Sequence, residues 1–327
     1  MDTFPGRISH VVDLLRPISV PFVCMKASVI IPTYNEESNL PPLLEDLSNQ
    51  TMRDFEVIVA DAASTDRTRE LAVKAGAIVV EGGMPAEGRN AGAARAQGDI
   101  LVFLDSDVRV PESFLANAIS EMEERGLAAA TAEARPLSDL AMDRVIHRFA
   151  NLFIRLNQER EPHAPGYCIL VRQDVVSAIG GFDEEIQVAE DHDFVTRASE
   201  HGPFRLLNTA WFSVSVRRYE KEGRIAYSVK AARITLYRAL HGEITDDSVV
   251  EYEFGDFEAE DKTSGQKALR RIEKGINRLD RRLQKLDGKV EKALRRGTWF
   301  ARRHQKKLYE LQRTIRDAME SRFGDDS

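Results

Sequence analysis

The chain has 327 residues, 43% hydrophobic and 30% charged, a balance ordinary for a globular protein and sufficient for one large domain with an appendage, or for two domains. No apolar run reaches the roughly 18 residues of a membrane-spanning helix, and two cysteines, Cys24 and Cys168, are too few for a disulfide framework or a zinc site, as a reducing cytosol permits. The net charge of −7 conceals a division: residues 265–327 hold 19 Lys+Arg against 9 Asp+Glu (+10), leaving 27 against 44 (−17) on residues 1–264.

Residues 1–24 are expected to be an N-terminal extension. Asp13, Arg16, Pro17 and Pro21 interrupt any signal-peptide core, and Met25 offers a second start just before the first strong strand. From Ser28 short β-branched runs alternate with helical stretches. Strands are predicted at 28–32 (SVIIP), 55–61 (FEVIVAD), 77–81 (AIVVE) and 100–105 (ILVFLD), with helices at 37–50, 66–75 and 87–97 between them. That order implies right-handed parallel crossovers and a sheet covered on both faces. Such sheets bind ligands beyond the carboxyl ends of their strands, and TYNEE, DAASTD and DSD stand at those ends.

Past residue 110 the alternation loosens. Helices are predicted at 111–125, 139–158, 173–179, 190–201 and 224–241, and strands at 167–171, 204–208 and 211–217. Residues 243–264 read as a solvated linker or lid, because EITDDSVVEYEFGDFEAED (243–261) carries nine acids and no Lys or Arg. Residues 265–327 form a basic amphipathic region. Apolar residues recur at 269, 272, 276, 279, 283, 286 and 290, and after a break at Gly297 come Leu308, Leu311 and Ile315. The spacing suits a coiled coil or helical hairpin, with homo-oligomerisation as one use. Trp299 and Phe300 leave open a helix in peripheral contact with an anionic membrane. The acidic body argues against nucleic acid.

The chemistry-bearing stretches are SVIIPTYNEESNL, VADAASTDRT, GRNAGAARAQGDILVFLDSD and GGFDEEIQVAEDHDFVTRA. In that order and spacing they resemble the family 2 inverting glycosyltransferases of GT-A fold, over about 190 residues from Ala27 to Arg218. The resemblance implies an α/β fold over residues 25–242, a GT-A type, Rossmann-like open twisted and mostly parallel sheet flanked by helices, with a C-terminal α-helical appendage. It implies a metal-dependent, inverting, non-processive transfer of sugar from a nucleotide-diphospho-sugar to a hydroxyl or lipid-phosphate acceptor, a glycan or lipid-linked glycan. A UDP-sugar is favoured as donor over a GDP-sugar, Mn²⁺ or Mg²⁺ is the cofactor, and the expected location is cytoplasmic or peripheral at the inner face of the membrane.

Carried onto this chain, Pro32, Thr33, Tyr34, Asn35 and Glu36 line the nucleotide pocket, Glu36 being equally readable as a first-turn helix acid. Asp61 would accept a hydrogen bond from the base, beside Ala63. DAAS departs from the usual Asp-Asp-Gly-Ser, which leaves the base open, and Asp66 reads as a turn acid. Asp105, Ser106 and Asp107 hold the donor, with Asp107 and Asp105 as metal ligands. The physical chemistry agrees: two adjacent carboxylates repel unless a cation lies between them, and Mg²⁺ or Mn²⁺ takes a few carboxylates plus phosphate oxygens. A plain helix cap would need one acid, not two.

Arg89 and Asn90 would face the diphosphate or donor sugar, where a guanidinium fork suits phosphate, and Gly88 and Gly92 would let backbone approach. Glu190, Asp191 and Asp193 crowd one helical turn. Asp191 is the expected general base, with Glu190 positioning a hydroxyl. Gly166, Tyr167 and Cys168 fall where the family shapes its acceptor pocket, although a strand after Pro165-Gly166 would read the same, Arg217 and Arg218 could reach the diphosphate, and His163 and His192 read as ordinary histidines. VRRYE departs from the Gln-x-x-Arg-Trp of processive polymerases. Two rivals remain: a sugar nucleotidyltransferase, which would want a Gly-rich loop that PTYNEESN lacks, and an inert nucleotide-binding scaffold assembled through its C-terminal helices.

Overall fold

Seven consecutive buried residues, Ala27–Thr33, form strand β1, flanked in parallel by Phe55–Asp61 (β2) and Ile100–Leu104 (β4), with Ile78–Glu81 (β3) beyond β2. A parallel strand covered on both faces needs a continuous apolar run rather than alternation, which VIIP and ILVFL supply. The crossovers are Leu40–Ser48 (α1), Thr68–Lys74 (α2) and Pro85–Arg95 (α3). Helix α1 starts on a Pro pair and buries Leu40, Leu43, Leu44 and Leu47, one helical face. Helix α3 lies so close to β1 that a Cβ on Gly92 would stand 2.3 Å from Ile30 Cγ2, which sets the Arg89 side chain deep beside the strand ends.

The computed structural model describes residues 26–186, 189–223 and 273–295. The extension 1–24, the helix at 224–241, the acidic stretch 243–264 and the second tail helix lie outside these residues. The remaining elements are Val108–Arg109 (β5), Phe114–Glu124 (α4), Ala129–Pro136 (β6), Ala141–Asn157 (α5), Cys168–Arg172 (β7), Gln173–Ile179 (α6), Glu190–Ser199 (α7), Phe204–Val214 (β8), Arg217–Glu222 (α8) and Glu273–Arg295 (α9). One sheet runs β3-β2-β1-β4-β7-β6-β8-β5. It is parallel as far as β4; β7 is antiparallel to β4 and β6, β6 and β8 are parallel, and β5 is antiparallel to β8. This is the expected mixed, mostly parallel α/β sheet flanked by helices.

Two strands escape the sequence pattern. Strand β6 (AATAEARP) is alanine-rich and intrinsically poor at forming strand, so pairing with β7 and β8 decides its state. The two-residue β5 is too short to show a period. The strands predicted at 204–208 and 211–217 are one strand, β8, its register against β6 shifting between Thr131 and Glu133.

Among the described residues two clusters line the sheet, one containing Leu43, Leu47, Phe114, Leu115 and Phe212, the other Ile30, Phe103, Phe182 and Phe194. Phe103 meets Phe182 and Phe194 edge-on at 5.1 and 5.9 Å, favoured ring geometry. Helix α9 packs along α5: Leu283, Leu286 and Val290 meet Leu152 and Leu156. Arg144 donates to Asn277 (3.2 Å), Arg148 to Asp280 (2.5 Å) and Arg155 to Asp287 (2.9 Å). The near-constant residue offset means the helices run parallel. The apolar tail seam at 283, 286 and 290 is therefore spent within the chain on α5, where sequence spacing suggested self-association or a hairpin between tail helices.

Candidate functional site

The loops after β1 and β2 are laced together by short polar side chains. Backbone N–H groups of Asn35, Glu36 and Glu37 donate to Ser64 Oγ (2.9 Å), Thr68 Oγ1 (2.8 Å) and Asp66 Oδ2 (3.0 Å), and Thr65 N–H returns to Asn35 Oδ1 (2.9 Å). Asp66 also accepts from Thr68 N–H (2.9 Å), so it is a turn acid, as its sequence context implies. Asn35 and Ala63 have positive φ, 52° and 57°. Asn tolerates this region; an alanine there costs roughly 1–2 kcal/mol, which the lacing must hold in place. Pro32 and Thr33 are buried and Tyr34 is half-buried.

Asp61 is fully buried. Its Oδ2 accepts from Ser64 N–H (3.0 Å) and Arg69 Nη1 (3.2 Å), and its Oδ1 from Thr33 Oγ1 (3.3 Å). Arg69 in turn holds Glu81 at 2.8 Å. Arg69 is a neighbour that sequence reasoning missed.

Asp105 and Asp107 are tethered between two paired strands. Leu104 pairs with Cys168, Asp105 N–H donates to Tyr167 O (3.3 Å), Ser215 N–H donates to Asp107 O (3.2 Å), and Val108 pairs with Val214. The buried Ser106 lies between them. Each acid meets an arginine. Arg89 Nη2 lies 3.3 Å from Asp105 Oδ1, and Arg217 Nε lies 3.0 Å from Asp107 Oδ2, an ion pair outside hydrogen-bond alignment. The Arg217 guanidinium also clamps Glu36 at 2.7 and 3.2 Å, so Glu36 is a partner of this cluster; α1 starts only at Leu40 and has no acid in its first turn, so Glu36 is not the first-turn helix acid that its sequence position also allowed. Burial pushes the Asp107 carboxyl up to about 6; Arg217 opposes this and Asp105 and Glu36 add to it.

Arg89 is the centre of the site. It is 3% exposed, and Nη1 donates to Glu190 Oε1 at 2.6 Å while Nη2 reaches the Gly166 carbonyl at 3.3 Å. Burial would discharge it, but Glu190, Asp105 and Asp191 hold it firmly charged. Its Nε is buried without a partner. Gly166 leaves room for both side chains, since a Cβ there would stand 2.8 Å from Arg89 Nη2 and 3.2 Å from Asp191 Oδ2. The same two contacts bring Asp191 into one cluster with Arg89 and the strand-end acids. Asn90 does something else: it exchanges hydrogen bonds with Phe182 O (2.9 Å) and N–H (2.8 Å) and donates to Glu184 (2.8 Å), bracing the loop before α7.

Glu190, Asp191 and Asp193 occupy the first turn of α7, entered through Ala189 at φ 65°. Burial raises the Glu190 pKa, with Arg89 opposing and Asp191 adding. Asp193 is spent on Arg197 (2.6 Å). His192 Nε2 lies 4.0 Å from Asp191 Oδ1, and the His192 ring lies 5.1 Å from His163, which meets Phe153 at 5.0 Å. Burial pushes His163 down to about 4. Two histidines read as ordinary thus flank the expected base. Tyr167 packs against Phe212 at 5.5 Å, and Cys168, raised to about 12 by burial, is an inert thiol.

Among the described residues no cluster of three or more His, Cys, Asp or Glu is arranged to hold a metal. The two strand-end carboxylates nevertheless fit a hard divalent cation that takes its other ligands from phosphate and water, since the donors are oxygens and Asp105, Asp107 and Glu36 crowd negative charge together.

The family model described as "Glycosyl transferase family 2" matches residues 28–180. Glycosyltransferase AglE of Haloferax volcanii is 29% identical over 197 residues, 56% of this chain and 63% of that protein. Poly(ribitol-phosphate) beta-N-acetylglucosaminyltransferase TarS of Staphylococcus aureus is 34% identical over 110 residues, 31% of this chain and 19% of that one. The chain thus spans less than two thirds of either relative. Among solved structures, mannosyltransferase PcManGT from Pyrobaculum calidifontis superposes with TM-score 0.54 at 20% identity, covering 92% of this chain and 88% of that one.

Proposed function

We propose that the chain is a family 2 glycosyltransferase, a metal-dependent, inverting, non-processive enzyme that moves a sugar from a UDP-sugar to a hydroxyl of a glycan or lipid-linked acceptor. The observation that carries this reading is Arg89: one buried guanidinium touches both Asp105 and Glu190, so the donor-side acids and the acceptor-side acids form a single cluster.

In this reading the Asp191 carboxylate takes the acceptor hydroxyl proton while that oxygen bonds to the anomeric carbon. The carbon–oxygen bond to the diphosphate breaks on the opposite face, and its electron pair leaves with the nucleoside diphosphate. Asp105 and Asp107 would hold Mn²⁺ or Mg²⁺, which supplies Lewis-acid stabilisation of the leaving diphosphate. Arg217 and Arg218 add positive charge on the same side. Glu190, anchored by Arg89, positions a sugar hydroxyl.

PcManGT is described in complex with GDP-Man and Mn²⁺, so GDP-sugars belong beside UDP- and dTDP-sugars in the test. Thermal shift and slow donor hydrolysis with Mn²⁺ should single out the UDP series. Asp107→Ala should abolish donor hydrolysis, and Asp191→Asn should bind donor yet stop transfer. Silence across all donors would favour an inert scaffold, and normal transfer by Asp191→Asn would remove the base assignment.

A further inference from the structure

Helix α9 is sorted by charge about its axis. Asp280, Leu283, Asp287 and Val290, spaced i, i+3, i+7 and i+10, face α5, where Arg148 and Arg155 take the two acids and Leu152 and Leu156 the apolar residues. Arg281, Lys285, Lys289 and Lys292, spaced i, i+4, i+8 and i+11, are all exposed, with Arg282 exposed beside them. Docking on α5 thus engages Asp280 and Asp287 and leaves a row of five cations about 16 Å long at 1.5 Å per residue.

We infer that this outward face of α9 docks on an anionic lipid bilayer. Headgroups form a continuous plane, and a straight helix edge meets such a plane with all five cations at once. A second feature separates a bilayer from other polyanions. Phe149, on the helix that α9 packs along, continues the Leu152–Leu156 stripe at i, i+3 and i+7 but is 51% exposed, an apolar ring left open to solvent. A bilayer offers that ring an apolar phase; nucleic acid or an acidic polypeptide does not. The helix that carries α9 also ends beside the candidate acids, through Phe153 against His163 and His163 against His192. The inference does not depend on the proposed transfer reaction, because lipid binding is read without donor.

The test is co-flotation of the full chain with vesicles of phosphatidylcholine alone and of phosphatidylcholine mixed with phosphatidylglycerol. Binding is expected only to the mixed vesicles and should weaken as salt is raised. Each surface cation contributes about fivefold to partitioning, so Lys285→Glu/Lys289→Glu should lower it by at least about 25-fold while leaving the melting temperature unchanged. Phe149→Ser should lower binding several-fold without altering its salt dependence. No binding to the mixed vesicles, equal binding to neutral ones, or an unaffected double variant would each overturn the proposal. So would binding to heparin or RNA that matches vesicle binding and ignores Phe149.

Discussion

Replacing Arg89 by Met keeps the volume of the side chain and removes the cation that Glu190 and Asp105 share. Arg89 is 4% and Glu190 11% exposed at the side chain, and their contact is 2.6 Å, so water cannot take over the lost partner. Breaking one side of a buried pair costs on the order of 3–5 kcal/mol, a urea midpoint shift of at least about 1 M for a slope near 3 kcal/mol/M. The loss should depend on pH. Burial already raises the Glu190 pKa in the folded chain, and Arg89 is its main counterweight. Without Arg89 the folded carboxyl binds its proton more tightly than the unfolded one, so stability falls as pH rises from the unfolded value of about 4.5 through the raised folded value. Arg89→Met should therefore lose least near pH 4.5 and most near pH 8. Adding Glu190→Gln should restore most of the loss, since a neutral pair leaves no buried charge. A single variant within about 1 kcal/mol of wild type, or a double variant no better than the single, would refute this account of the buried pair.

His163 titrates at about 4 when folded and near 6.5 when unfolded. The unfolded chain therefore binds more protons between these values, and stability is lost as pH falls through that window, by at most about 3.4 kcal/mol; urea unfolding of His163→Gln should show a correspondingly shallower acid limb, and an identical limb would show that the ring does not titrate in this way. Ala63→Gly relieves a side chain at φ 57° and should stabilise the fold by about 0.5–1 kcal/mol, net of the extra chain entropy of glycine. Thermal melting reads that gain, and a loss would mean that the Ala63 methyl has packing worth more than its strain.

The strand ends were legible because burial on both faces demands unbroken apolar runs, and the polar residues that stop VIIPT, VIVAD and VFLD are the ones the structure gathers. What was not legible depends on partners distant in the chain. Nothing in GRNAG says that Arg89 reaches Glu190, 101 positions on, or that Asn90 braces the Phe182 loop. Nothing in TDRTRE marks Arg69 as a partner of Asp61. The positive φ of Ala63 and Ala189 has no signature in an alanine, whereas Asn35 is of a residue type that tolerates it. Strand β6 was hidden by its alanines, and the tail seam specified an apolar face without specifying which helix would cover it.

Arg217 bridges Asp107 and Glu36 through one guanidinium. In its resting form the chain therefore does not present Asp107 as a bare carboxylate; a cation arriving there meets an incumbent. Under the proposed function, loading would be an exchange, in which the newcomer brings enough affinity of its own, from a diphosphate, to dislodge the arginine, and divalent ions without such a companion would gain little from the swap.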